Sequence, residues 1–187
     1  MDAIQMLRDD HKHVKDLFKQ FEEAKSAAEK KRIVTETCDA LETHTRLEEE
    51  VFYPAIRKEG ADKAMMNEAD EEHRLAKLLI EELRCMAPKD EYYDAKYTVL
   101  AENVKHHIGE EETEMLPKAA EAGAEQMREL GERMSERKRE IEATGPDRSA
   151  TRSKRAAPAA ATANRASKGR ERVAARKPSV AVKRARR

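Results

Sequence analysis

The chain has 187 residues, with 38 Lys and Arg matched by 38 Asp and Glu, no Trp and two Cys. The balance hides a split: residues 145–187 hold 14 Lys or Arg against Asp147 and Glu171, a net of +12, which leaves residues 1–144 at −12. That split separates an acidic folded unit from a basic appendage, and no apolar run approaches the roughly 20 residues that a membrane-spanning helix needs.

Met1 to Asp10 lacks the basic and apolar regions of a signal peptide, so a cytoplasmic protein is expected. Cys38 and Cys85 then stay thiols, as small apolar fillers on helices. Helical periodicity follows along the chain. A first apolar stripe runs Ile4, Leu7, His11, Val14, Phe18, Phe21, and a second runs Val34, Leu41, His44, Glu48, Phe52, Ala55. A third runs Met66, His73, Ala76, Ile80, Leu83, and a fourth runs Tyr97, Leu100, Val104, His107, Glu111, Met115. Spacings of three and four place each set on one helix face. Ser26-Ala27-Ala28-Glu29 reads as a capping box, Gly60 with Asp62 separates the second helix from the third, and Pro88 with Asp90 separates the third from the fourth.

The fold class expected is therefore all-α: an antiparallel up-down-up-down four-helix bundle over residues 1–122, with short connections. A short charged accessory helix is expected within residues 123–144. The tail, residues 145–187, is rich in Ala, Lys, Arg, Ser and Pro without any aromatic residue, and is expected to be disordered.

An internal repeat is superimposed on the helices. His44, Glu48 and Pro54 recur 63 residues later as His107, Glu111 and Pro117, and Asp10-His11 recurs as Glu72-His73 after 62. Each half thus supplies a His and then a His-x-x-x-Glu. Burying an unpartnered carboxylate costs several kcal/mol, of order 3 or more, yet these residues sit on the stripes that face the core. The midpoints between successive histidines fall at the connecting turns, so antiparallel packing brings all four imidazoles to one level. Glu48 and Glu111 lie one turn beyond His44 and His107 on the same faces. Four imidazoles and two carboxylates suit iron, manganese, zinc or copper better than magnesium or calcium, and two ions bridged by the carboxylates would take two His each.

The full set, Asp10-His11, His44-x-x-x-Glu48 with Phe52-Tyr53-Pro54, Glu72-His73, and His107-x-x-x-Glu111 with Leu116-Pro117, resembles the bacterial hemerythrin-like HHE cation-binding domains over about residues 1–120. The resemblance implies two iron ions in an oxo- or hydroxo-bridged non-haem centre. It further implies His11 and His44 on one iron, His73 and His107 on the other, and Glu48 and Glu111 between them. Oxygen-carrying members hold a further His where this chain has Lys77, and His-x-x-x-x-Asp where it has His107-x-x-x-Glu111. One iron thus lacks a nitrogen ligand; a Tyr, a carboxylate such as Glu49, or solvent could take its place.

Reaction with, or sensing of, peroxide, oxygen or nitric oxide is the function that follows, as catalase- or peroxidase-like protection or a redox signal, with no catalytic residue and no organic cofactor site assigned. Reversible oxygen binding or iron storage is the alternative, and a DNA-associated protein acting through its tail is another. His13 and His106 read as surface residues, Tyr53 and Tyr97 as packing residues near the stripes that could also hydrogen-bond a metal-bound oxygen, and the other members of Glu48-Glu49-Glu50 and Glu110-Glu111-Glu112 as solvated faces, some orienting the histidines. The tail would contact nucleic acid through phosphates without sequence preference, bind acidic partners or another copy, or act as a solubilising extension.

Overall fold

A computed structural model describes residues 1–144; the tail at 145–187, with the disorder and nucleic-acid contact expected of it, lies outside the described residues. Among the described residues the chain is helical and has no strand. Helix α1, Ala3–Glu23, starts where the Asp2 carboxylate accepts the Gln5 N–H at 2.8 Å, satisfying a donor that the first turn leaves without a partner. Helix α2, Ala27–Leu47, starts at Ser26, whose hydroxyl accepts the Glu29 N–H at 3.1 Å while the Glu29 carboxylate accepts from Lys25 N–H. This is the expected capping box, with its glutamate reaching one residue further back.

The second helix does not end at Leu47. It passes through one π-helical turn, Glu48–Phe52, into α3, Tyr53–Lys58, where the Tyr53 N–H donates to the Glu48 carbonyl five residues back. Gly60, at φ +85°, then ends the rod, and Asp62 caps α4, Lys63–Cys85, by accepting from the Ala64 and Met65 N–H groups. Helix α5, Tyr93–Glu110, repeats the device: a π-helical turn at Glu111–Met115 leads into α6, Leu116–Ala120, with the Leu116 N–H donating to Glu111 O. Each π turn inserts one extra residue at the same point of the repeat, just before a proline that has no N–H to contribute to the ladder.

These four rods pack α1 on α2, α2 on α4, α4 on α5 and α5 on α1, which closes the expected bundle. Two apolar cores lie at its ends. One gathers Leu7, Leu47, Phe52, Met66 and Leu116, and the other Phe18, Ile33, Ile80, Leu83, Tyr97 and Leu100. The His and Glu residues fill the level between them. Each fully buried Leu, Ile or Phe contributes about 1.5–3 kcal/mol, so two apolar ends stabilise a middle layer that is costly to bury.

Two expectations need correction. The accessory helix is α7, Ala124–Thr144, as long as α1, and it buries Met127, Leu130, Met134 and Ile141 in the same core as Leu7. It is a packed fifth helix whose charged face conceals a narrow apolar stripe. Cys38 is buried as expected, and burial pushes its thiol up to about 12. Cys85, at the last position of α4, is exposed and fills no core space.

Candidate metal centre

The four rods bring His11, His44, Glu48, His73, His107 and Glu111 into one buried layer, none of them more than 6% exposed. The imidazoles pair edge to face, His11 with His44 at 4.9 Å between centroids and His73 with His107 at 4.7 Å. Each carboxylate reaches across the two pairs. Glu48 lies 3.2 Å from His44 Nε2 and 3.3 Å from His73 Nε2, while Glu111 lies 3.0 Å from His11 Nε2 and 4.0 Å from His107 Nε2. The donors form two overlapping groups able to surround an ion, His11-His44-Glu48-Glu111 and Glu48-His73-His107.

All four Nε2 atoms point into the layer, and a second carboxylate hydrogen-bonds the Nδ1 of three of the four histidines and lies near that of His44. Glu112 meets His11 at 3.0 Å, Glu49 meets His73 at 3.0 Å, Glu72 meets His107 at 2.7 Å, and Asp10 approaches His44 to 3.8 Å. A carboxylate beside Nδ1 favours the tautomer with the proton there and leaves Nε2 as a free lone pair, the arrangement that metal-bound histidines use. Asp10 and Glu72 directly precede the histidines of α1 and α4, and Glu49 and Glu112 directly follow the two carboxylates. Each rod thus carries, next to one of its layer residues, a carboxylate that faces a histidine on another rod. Glu49 and Glu112 are the members of the two runs that orient histidines, and both are half-buried. Glu50 is exposed, as expected, and Glu110 is half-buried at the surface.

Tyr53 is also more than a packing residue. The π turn at Glu48–Phe52 rotates the face that follows, so that Tyr53 and Ile56 are buried with Phe52, and Ala55, expected on the stripe, is half-buried. The Tyr53 hydroxyl stands 3.4 Å from His73 Nε2 and 3.5 Å from His107 Nε2. Its counterpart in the second half is Leu116, so the two ends of the layer differ chemically. Tyr97 is the packing residue it was expected to be, with its hydroxyl 2.8 Å from that of Thr37. His13 and His106 are surface residues, with side chains 53% and 62% exposed. Lys77 does not enter the layer and donates instead to Glu49 at 2.6 Å.

The charges make this layer a strained place for protein groups alone. Burial disfavours the imidazolium of His44, yet Glu48, Asp10 and Glu111 outweigh it and carry His44 up to about 10; Glu48 and Glu49 likewise carry His73 up to about 9. Burial and the Glu48 charge raise Glu111, whereas Glu48, although buried, is held well below the carboxylate range by His44 and His73. Even so, both oxygens of Glu48, both of Glu111, both ring nitrogens of His44 and Nε2 of His11 are buried without a hydrogen bond. Converging lone pairs without donors are rare in protein interiors, and a cation satisfies them all at once. The donor set therefore fits bound metal.

A family model for the Hemerythrin HHE cation binding domain matches residues 2–119. The chain belongs to that family. A crystal structure of an HHE cation binding domain-containing protein from Mycobacterium kansasii superposes on this HHE domain with a TM-score of 0.67, covering 77% of this chain and 89% of that one at 24% identity. That likeness concerns the fold. A comparison with curated proteins returned no match. The family match ends just short of α7, which packs into the same core as the matched helices.

Proposed function

We propose that the HHE domain of this chain holds two iron ions and reacts with or senses a small oxidant, hydrogen peroxide, oxygen or nitric oxide. His11 and His44 would serve one ion, His73 and His107 the other, with Glu48 and Glu111 shared between them. The observation that carries this reading is the pair of overlapping buried donor groups with Glu48 common to both. Bound iron would supply the one-electron redox steps that no side chain in the layer offers.

The remaining residues define what can reach the ions and in what state. A cavity of about 20 Å³ opens on all four histidines, and its wall includes Val14, Leu41, Ala76, Val104 and Ile108. That volume admits about one water-sized molecule, which favours diatomic or peroxide-sized ligands over organic substrates. Burial and the Glu48 charge push the Tyr53 hydroxyl well up, so Tyr53 keeps its proton until a cation draws it off. With its hydroxyl 3.4 Å from His73 Nε2 and 3.5 Å from His107 Nε2, Tyr53 would supply the ligand that Lys77 does not. With Leu116 at the equivalent place in the other half, the phenol hydroxyl stands at the His73–His107 end. This asymmetry favours turnover or sensing over the reversible oxygen carriage and iron storage that are the alternatives.

Metal content per chain and the near-ultraviolet and visible spectrum, before and after peroxide, test the reading. About two irons per chain, a spectral change on mixing and oxygen release at an electrode are expected, with Tyr53→Phe retaining iron but losing most of the response. An unchanged spectrum with no oxygen released would sink turnover, and a single zinc ion or no metal would sink the iron centre.

A further inference from the structure

The four carboxylates that orient the histidines are not treated alike. Lys138 neutralises Asp10 at 2.8 Å, Lys77 neutralises Glu49 at 2.6 Å, and Lys15 neutralises Glu112 at 3.0 Å. Among the described residues no Lys or Arg pairs with Glu72. Its Oε2 accepts from His107 at 2.7 Å, and its Oε1 faces outward to His106 Nε2 at 3.6 Å. His106 Nε2 lies in turn 3.1 Å from Glu110, one helical turn along α5. The three side chains can direct one donor atom each at a common point, all within 4.8 Å of one another.

We propose that Glu72, His106 and Glu110 form a third, solvent-facing site for a divalent transition-metal ion, from which iron is loaded into the buried layer past Glu72. His106-x-x-x-Glu110 is the same i, i+4 motif as His107-x-x-x-Glu111, shifted by one residue onto the outer face of α5. One imidazole and two carboxylates prefer iron, manganese or zinc to magnesium or calcium. The first half of the repeat has Thr43 and Leu47 at the equivalent positions, and its equivalent carboxylate, Asp10, is taken by Lys138. The site is thus particular to the second half and has no explanation in the symmetry of the bundle.

Glu72 gives the site its direction. Besides holding His107, it lines the small cavity that opens on the four histidines, together with Asn103 and His107. A cation approaching at Lys15, Lys77 or Lys138 meets positive charge, whereas at Glu72 it meets two carboxylates and an imidazole. With His106 62% and Glu110 41% exposed, the ion keeps water ligands and exchanges readily, as a loading station requires.

The loading role rests on the metal-centre reading, and the test separates the two. The full-length chain is loaded with iron and titrated with manganese(II), followed by electron paramagnetic resonance. Two retained irons and one exchangeable manganese per chain are expected, with His106→Ala and Glu110→Gln each weakening manganese binding at least tenfold while retaining both irons. Chelator-stripped full-length His106→Ala should take up iron(II) at least fivefold more slowly, to the same final content. Two irons with no manganese bound, or manganese bound equally by wild type and both variants, would overturn the third site and leave the buried centre standing. Equal uptake rates would overturn the loading role. Manganese bound at the surface with no iron retained would overturn the buried centre and the loading role together.

Discussion

An imidazole whose Nδ1 faces a carboxylate has only Nε2 left to offer, and four such imidazoles aimed at one level repel unless something positive lies between them. In the metal-free chain protons take that part. His44 and His73 rise from an ordinary 6.5 to about 10 and about 9 because the carboxylates around them outweigh the cost of burial. On unfolding they return towards 6.5, so between these values the folded chain binds more protons than the unfolded one, and stability falls as pH rises. The contribution is complete below about 6.5 and is lost as pH climbs through 9 to 10. The urea midpoint of chelator-stripped protein is therefore expected to drop between pH 6.5 and 10. Iron-loaded protein should do the reverse at the acid end, releasing metal as protons compete for the same lone pairs. A flat midpoint for the stripped chain across the alkaline range would contradict the imidazole–carboxylate pairing.

At the scale of elements, α7 locks the beginning of the chain. Gly131 lies against the backbone of residues 1 to 3, and a Cβ there would stand 2.5 Å from Met1 O and 2.8 Å from both Asp2 C and Ala3 N. Gly131→Ala gains about 1 kcal/mol of helix propensity but forces backbone atoms apart at about 1–3 kcal/mol. A net loss of stability is expected, seen as a lower urea midpoint, and a higher midpoint would show that the N-terminus yields freely. The four bundle helices and all six candidate ligands were legible because His and Glu on an apolar stripe, repeated after 63 residues, have few other meanings. The register beyond Glu48 was not, since a π turn adds a residue that α-helical periodicity cannot anticipate, which left Tyr53 beside the stripe as a packing residue. The stripe of α7 was present at Met127, Leu130, Met134 and Ile141 but lay among charges that dominate any count. Which histidine each outer carboxylate holds depends on helix pairing, as with Glu112 and His11, 101 residues apart.

For the molecule as a whole, the charge split sets the terms. Residues 1–144 carry −12 and residues 145–187 carry +12, so a polyanion would have to compete with the protein's own bundle for one set of Lys and Arg side chains. A strong affinity of the tail for the bundle would mask the tail from nucleic acid at low salt and favour association between copies. A weaker one would leave it free to displace counterions from a duplex, with log K falling by about 0.9 per log unit of salt for each phosphate neutralised. The tail has no aromatic residue to stack on bases, so any binding should ignore sequence. In a gel-shift titration the full chain is expected to retard duplexes of unrelated sequence with a steep salt dependence, and a chain ending at Thr144 to leave them unshifted. Both proteins should contain the same iron, because every candidate ligand and all of α7 lie before the cut. Equal retardation by the two would remove nucleic acid from the account of the tail. Retardation by neither, with the full chain sedimenting as a salt-sensitive oligomer, would assign its charge to a second copy of the bundle.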